Sequence, residues 1–172
     1  MSARPRVFFA LWPGDEVRHQ LFHWQTQNLP SGVRRLHRDD LHLTLHFLGE
    51  VEPPRIEVLK RLADSLPLVA FELVLDRIGY WPRPQVLWAG PSAIPVALVD
   101  LHARLGERLR EADFATESRE YHPHVTLARK VRQRLQVGPL VPLSWPVTEL
   151  ALLESRPGSA PNYRPLARWT VR

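Results

Sequence analysis

The chain has 172 residues, 23 lysines and arginines against 18 aspartates and glutamates, a formal net charge of +5 and no cysteine. That length suits one domain with its own core, while the missing cysteines exclude a disulfide scaffold, a cysteine nucleophile and a zinc ribbon and fit a reducing cytoplasm. The basic surplus favours a polyanionic partner, nucleic acid or a phosphorylated small molecule, and no apolar stretch reaches membrane-spanning length.

Arg6 to Leu11 reads as a strand, and Asp15 to Asn28 as a helix that carries Val17, Leu21 and Trp24 at helical spacing after Pro13-Gly14. From Leu41 to Phe47 alternation puts Leu41, Leu43, Leu45 and Phe47 on one face and His42, Thr44 and His46 on the other. Pro53-Pro54 opens a second helix with an apolar stripe of Ile56, Leu59, Leu62, Ala63 and Leu66, and Pro67 ends it. Phe71 to Leu75 and Val86 to Trp88 read as a strand pair with a longer connection through Trp81-Pro82-Arg83-Pro84. A third helix begins near Pro95, with Leu98, Leu101, Leu105 and Leu109 on its buried side. A further alternation puts Val125 and Leu127 on one face and His122, His124, Thr126 and Ala128 on the other. "LALLE" and "LARWTV" are two last strands around a loop from Pro157 to Pro165. With too few helices to alternate strictly with strands, the order predicts an α+β fold.

Two of these strands share a motif, "HLTL" at 42–45 and "HVTL" at 124–127, almost half a chain apart. Eight histidines and six threonines scattered at random would give about 0.3 occurrences of His-x-Thr, so a repeated strand explains the pair better than chance. Alone, either copy reads as the ordinary polar face of a half-exposed strand. Together, two imidazoles facing one cleft can supply an acid and a base near neutral pH. The threonines lie about 6.6 Å along the same faces and can donate hydrogen bonds to an anion held between the histidines. Such a set suits phosphoryl chemistry on a phosphodiester.

The stretches "LHLTLHFLGEV" at 41–51 and "YHPHVTLARK" at 121–130 resemble the two-histidine (2H) phosphoesterases, and within them the RNA 2',3'-cyclic phosphodiesterases, also called 2'-5' RNA ligases. The resemblance implies one bilobal domain over residues 1–172, with two pseudo-symmetric antiparallel sheets, helices outside and a central cleft. It implies His42 as proton donor to the leaving oxygen and His124 as proton acceptor from the attacking water. Thr44 and Thr126 would hold phosphate oxygens. The substrate would be an RNA or nucleotide end with a 2',3'-cyclic phosphate, opened to a 2'-phosphate by a cytoplasmic monomer with neither metal nor cofactor, and ATP-independent 2'-5' ligation would be the companion activity. Arg129 follows the second motif as a phosphate contact. In a regular strand it would point away from His124, so a bulge or the strand end must redirect it.

His46 stands where relatives commonly carry arginine, and it and His122 read as rim or structural residues. Tyr80, Trp81 and Arg83 either stack on a nucleobase and touch backbone phosphate or plug a sheet end. Two other functions compete: a metal-dependent hydrolase using His42, His122 and His124 with Asp39 or Asp40, and a basic RNA-binding module without catalysis.

Overall fold

The computed structural model describes residues 3–158 and 160–170. Three helices, α1 (Asp15–Asn28), α2 (Pro53–Asp64) and α3 (Val96–Glu111), accompany ten strands. The strands are β1 (Arg6–Leu11), β2 (Arg34–Arg35), β3 (Leu43–Glu50), β4 (Phe71–Leu75), β5 (Arg77–Trp81), β6 (Val86–Gly90), β7 (Val125–Arg129), β8 (Leu143–Val147), β9 (Glu149–Ser155) and β10 (Tyr163–Thr170). The α+β class is as the sequence predicts. The helix starts follow local chemistry: Asp15 and Glu16 favour the positive end of α1, Pro53 opens α2 at a position where no amide is needed, and Pro95 caps α3.

The main sheet runs β10-β9-β1-β3-β7-β6-β5, with β2 on β7, and every pairing is antiparallel. Its two halves meet at one registered pair, Leu43 opposite Val125. These residues begin β3 and β7, so the motif strands overlap only at their starts and run apart, one into each half. The helices bury the wide apolar face: Val7, Phe9 and Leu11 of β1 join Leu21 of α1, Leu59 of α2 and Leu98, Leu105 and Leu109 of α3 in one core. On the other face Phe8, Ala10, Trp12, Ala151 and Leu153 form a smaller cluster backed by Tyr163.

Several expectations needed correction. Phe71–Leu75 does not pair with Val86–Gly90. It pairs with β8, whose alternation Leu143, Trp145, Val147 went unread because Pro146 interrupts it. Instead β6 pairs with β5, across the turn at 82–85, and with β7 on its other side. The last strand starts at Tyr163, two residues before Pro165, and Val171 lies outside the described residues.

Candidate functional site

Antiparallel register around Leu43 and Val125 sets His42 beside Thr126 and Thr44 beside His124. All four line one cavity of about 630 Å³, with Trp81, Arg83 and Arg129 among the other walls. The structure therefore brings together the five residues that the sequence singled out.

Each imidazole is fixed in the same way. His42 Nδ1 donates to the Asp40 carbonyl at 2.7 Å, and His124 Nδ1 donates to the His122 carbonyl at 2.7 Å. An Nδ1–H bonded to a carbonyl leaves Nε2 as the chemically available nitrogen. For His42 that nitrogen lies 2.9 Å from the Thr44 hydroxyl, which donates to it in the neutral state. Phe8 and Tyr163 enclose the His42 ring at 5.0 and 4.9 Å between centroids, and Trp81 stands edge-on to His124 at 4.6 Å.

Burial sets the electrostatics. Desolvation is the largest influence on His42 and lowers its pKa to about 4, with smaller contributions from Arg129, His124 and Arg18. Desolvation also lowers that of His124, again helped by Arg129. Burial keeps both imidazoles uncharged at neutral pH, and a bound anion would supply the negative charge that favours a proton on one of them.

Both motif strands carry a bulge at the leucine that ends the motif. On β3, Ala10 faces Thr44 but Phe9 faces His46, so Leu45 has no partner. On β7, Trp88 faces Thr126 but Leu87 faces Ala128, so Leu127 has none. One extra residue reverses the alternation beyond it. His46 is therefore not on the face of His42, as simple alternation had it. It turns toward α3, where its Nε2 donates to the His102 carbonyl at 2.8 Å and its ring stacks on His102 at 4.2 Å, still bordering the cavity. Phe47 moves the other way, onto Phe8. In the second motif Ala128 turns into the core, and Arg129 comes round to the cavity wall by the bulge its position required.

Sequence reasoning missed the residues that hold these bulges. Gln25 of α1 is fully buried, and its Nε2 donates to the Leu127 carbonyl at 2.8 Å and the Leu36 carbonyl at 3.3 Å. Tyr121 donates to the Thr44 carbonyl at 2.8 Å and stacks on His102. A glutamine next to the apolar stripe of α1 was the available signal. Gly106 was another: a Cβ there would come within 3.1 Å of the His46 ring, so glycine lets α3 approach.

Other candidates divide. Asp40 is buried, and its carboxylate accepts from the Asn162 and Tyr163 amides and the Asn162 side chain, an anchor for the β9–β10 loop where a metal ligand had been considered. Tyr80 donates to the Val131 carbonyl at 2.7 Å and lines a different cavity, whereas Trp81 rests on Trp88 and faces the site. His122 is exposed, 3.8 Å from Glu120, and serves His124 through its main chain. Among the described residues no group of three or more His, Asp or Glu side chains is placed to hold one metal ion.

The chain is similar to known proteins over almost its whole length. The RNA 2',3'-cyclic phosphodiesterase of Escherichia coli is 34% identical over 99% of both chains. The structure of E. coli LigT complexed with 3'-AMP matches with a TM-score of 0.90 at 34% identity, covering 98% of each chain. The TT0787 protein of Thermus thermophilus matches with a TM-score of 0.81 at 28% identity, over 97% of this chain and 98% of the other. A family model described as the 2'-5' RNA ligase superfamily matches residues 13–158. With duplicated motif strands, paired imidazoles in one cavity and this similarity along its whole length, the chain belongs to the 2'-5' RNA ligase superfamily.

Proposed function

We propose that the cavity is the active site of an RNA 2',3'-cyclic phosphodiesterase, a phosphoric diester hydrolase that opens a terminal ribose 2',3'-cyclic phosphate to a 2'-phosphate. The observation that carries this reading is the matched pair of imidazoles: each has Nδ1 tied to a carbonyl, leaves Nε2 available to one cavity and has a threonine nearby. Thr44, Thr126 and Arg129 hold the non-bridging phosphate oxygens. His124 Nε2 takes a proton from water as the water oxygen bonds to phosphorus. The P–O3' bond breaks, and His42 Nε2 delivers a proton to the departing 3' oxygen, leaving a 3'-hydroxyl and a 2'-phosphate. The Thr44 hydroxyl, which donates to neutral His42, turns to a phosphate oxygen and frees Nε2 for its proton.

A 5'-hydroxyl in place of water would give a 2'-5' linkage by the same bond exchange, without ATP. The unit is read as a single bilobal domain over residues 1–172, acting as a cytoplasmic monomer with no cofactor. All the proposed groups lie in one chain, and cysteine is absent. Among the described residues no helix is long and apolar enough to cross a membrane.

The test is incubation with a nucleoside 2',3'-cyclic phosphate in EDTA and identification of the product isomer. A 2'-phosphate is expected; a 3'-phosphate would reverse the leaving group. Activity abolished by EDTA and restored by a metal would favour a metal-dependent hydrolase.

A further inference from the structure

Three carboxylate-free segments converge on one side of the cavity: residues 29–38, 77–99 and 121–148 contain no aspartate or glutamate. They are joined by hydrogen bonds. β2 pairs with β7, placing Arg34 opposite Arg129, and the Val131 amide donates to the Gln85 carbonyl in the turn that carries Arg83. Lys130 and Arg132 flank Val131, and Arg34, Arg83, Lys130 and Arg132 are all exposed. Among the described residues none of these four makes an ion pair with a carboxylate. The cavity lining from another segment differs in being mixed in sign, with Glu117, Arg119 and Glu120, the first two paired at 3.1 Å.

The Arg34–Arg129 pair is the informative feature. Like charges directly opposite on antiparallel strands are destabilising. No acid lies on either strand, and among the described residues neither arginine makes an ion pair with a carboxylate, so an anion brought by a ligand would relieve them. Arg129 lines the cavity and Arg34, opposite it in the register, does not, so the two together offer positive charge both at the cavity and next to it.

We propose that the polynucleotide bearing the reacting end leaves the cavity over a basic ridge of Arg34, Arg83, Lys130 and Arg132, away from the Glu117–Glu120 wall. This inference rests on the phosphodiesterase reading and adds to it: the substrate is a single-stranded RNA several nucleotides long, with backbone phosphates held along this ridge. Such contacts position the strand without reading its sequence.

The test compares a mononucleoside 2',3'-cyclic phosphate with a 12-mer RNA ending in the same group, using Arg34→Gln/Arg132→Gln and a charge-matched control, Arg61→Gln/Arg104→Gln. The control residues are exposed on α2 and α3. The ridge variant should raise KM for the 12-mer about tenfold at about 0.1 M salt, and the slope of log affinity against log salt should become shallower by about 1.4, two contacts at about 0.7 each. Mononucleotide kcat/KM should stay at the wild-type value, which also shows that the variant is folded. The control should leave both substrates unchanged. Equal effects of ridge and control on the 12-mer, or no effect of the ridge, would overturn the proposal. Ridge-dependent 12-mer binding by a wild-type protein that hydrolyses neither substrate would keep the ridge and overturn the phosphodiesterase reading.

Discussion

A hydrogen bond to a carbonyl two residues earlier gives each motif histidine the same tautomer, and burial then keeps it neutral. An acid and a base cannot both act from that state, so the proposed mechanism requires that substrate binding place a proton on His42. Since kcat/KM reports the free enzyme, both limbs of its bell should fall below the ordinary imidazole value, with the maximum between about pH 4 and 6.5. Between pH 6.5 and 8.5 kcat/KM should drop about tenfold per unit; a flat profile there would argue against proton donation by a histidine. His42→Ala or His124→Ala should each lower turnover about 10² to 10⁴-fold, and the double variant should cost little more than the worse single one. In the proposed mechanism the threonines contribute to binding as well. Thr126→Val, which removes a hydroxyl from beside a charged phosphate, should cost roughly 1.5 to 3 kcal/mol in transition-state stabilisation, with KM rising as well as kcat falling.

At the scale of elements, the two bulges decide which side chains reach the cavity. Alternation made the His-x-Thr faces legible because period 2 holds up to Thr44 and Thr126. Beyond Leu45 and Leu127 it fails, and His46 and Ala128 were assigned to the wrong face for that reason. A bulge is set by tertiary partners such as the Gln25 side chain and the Leu36 amide, both on the Leu127 carbonyl, which nearby sequence does not announce. Helix starts were legible nearly to the residue, since Pro13-Gly14, Pro53-Pro54 and Pro95 mark them, but α2 stops at Asp64, before the Leu66 and Pro67 that the apolar stripe had taken as its end. The pairing of β4 with β8 was not, because nothing local connects strands so far apart in the chain. Gln25→Met keeps the volume but leaves a buried carbonyl with one donor fewer. It should cost about 1 to 3 kcal/mol of stability, and KM should rise because Arg129 loses its fixed position. Unchanged KM in a destabilised but folded variant would confine Gln25 to a purely structural part.

Across the whole molecule, the site lies where the two half-sheets touch at Leu43 and Val125, and α1 crosses from the first half to brace β7 of the second. The geometry of the proposed site and the global packing are therefore one structure, and charging a site histidine should be felt as unfolding free energy. The folded pKa of His42 is about 4 against an unfolded value of about 6.5. Between those values the unfolded chain binds more protons than the folded one, so stability must fall as pH drops through that window and be unaffected by this group above it. At pH 4.5 the loss from His42 alone should be about 2 to 3 kcal/mol relative to pH 7. Denaturant unfolding of the wild type and of His42→Gln at both pH values isolates it, because the remaining titrating groups are common to the two proteins. The variant should lose that much less stability on acidification than the wild type; equal losses would mean that His42 is charged in the folded protein without cost, and that its burial does not hold it neutral.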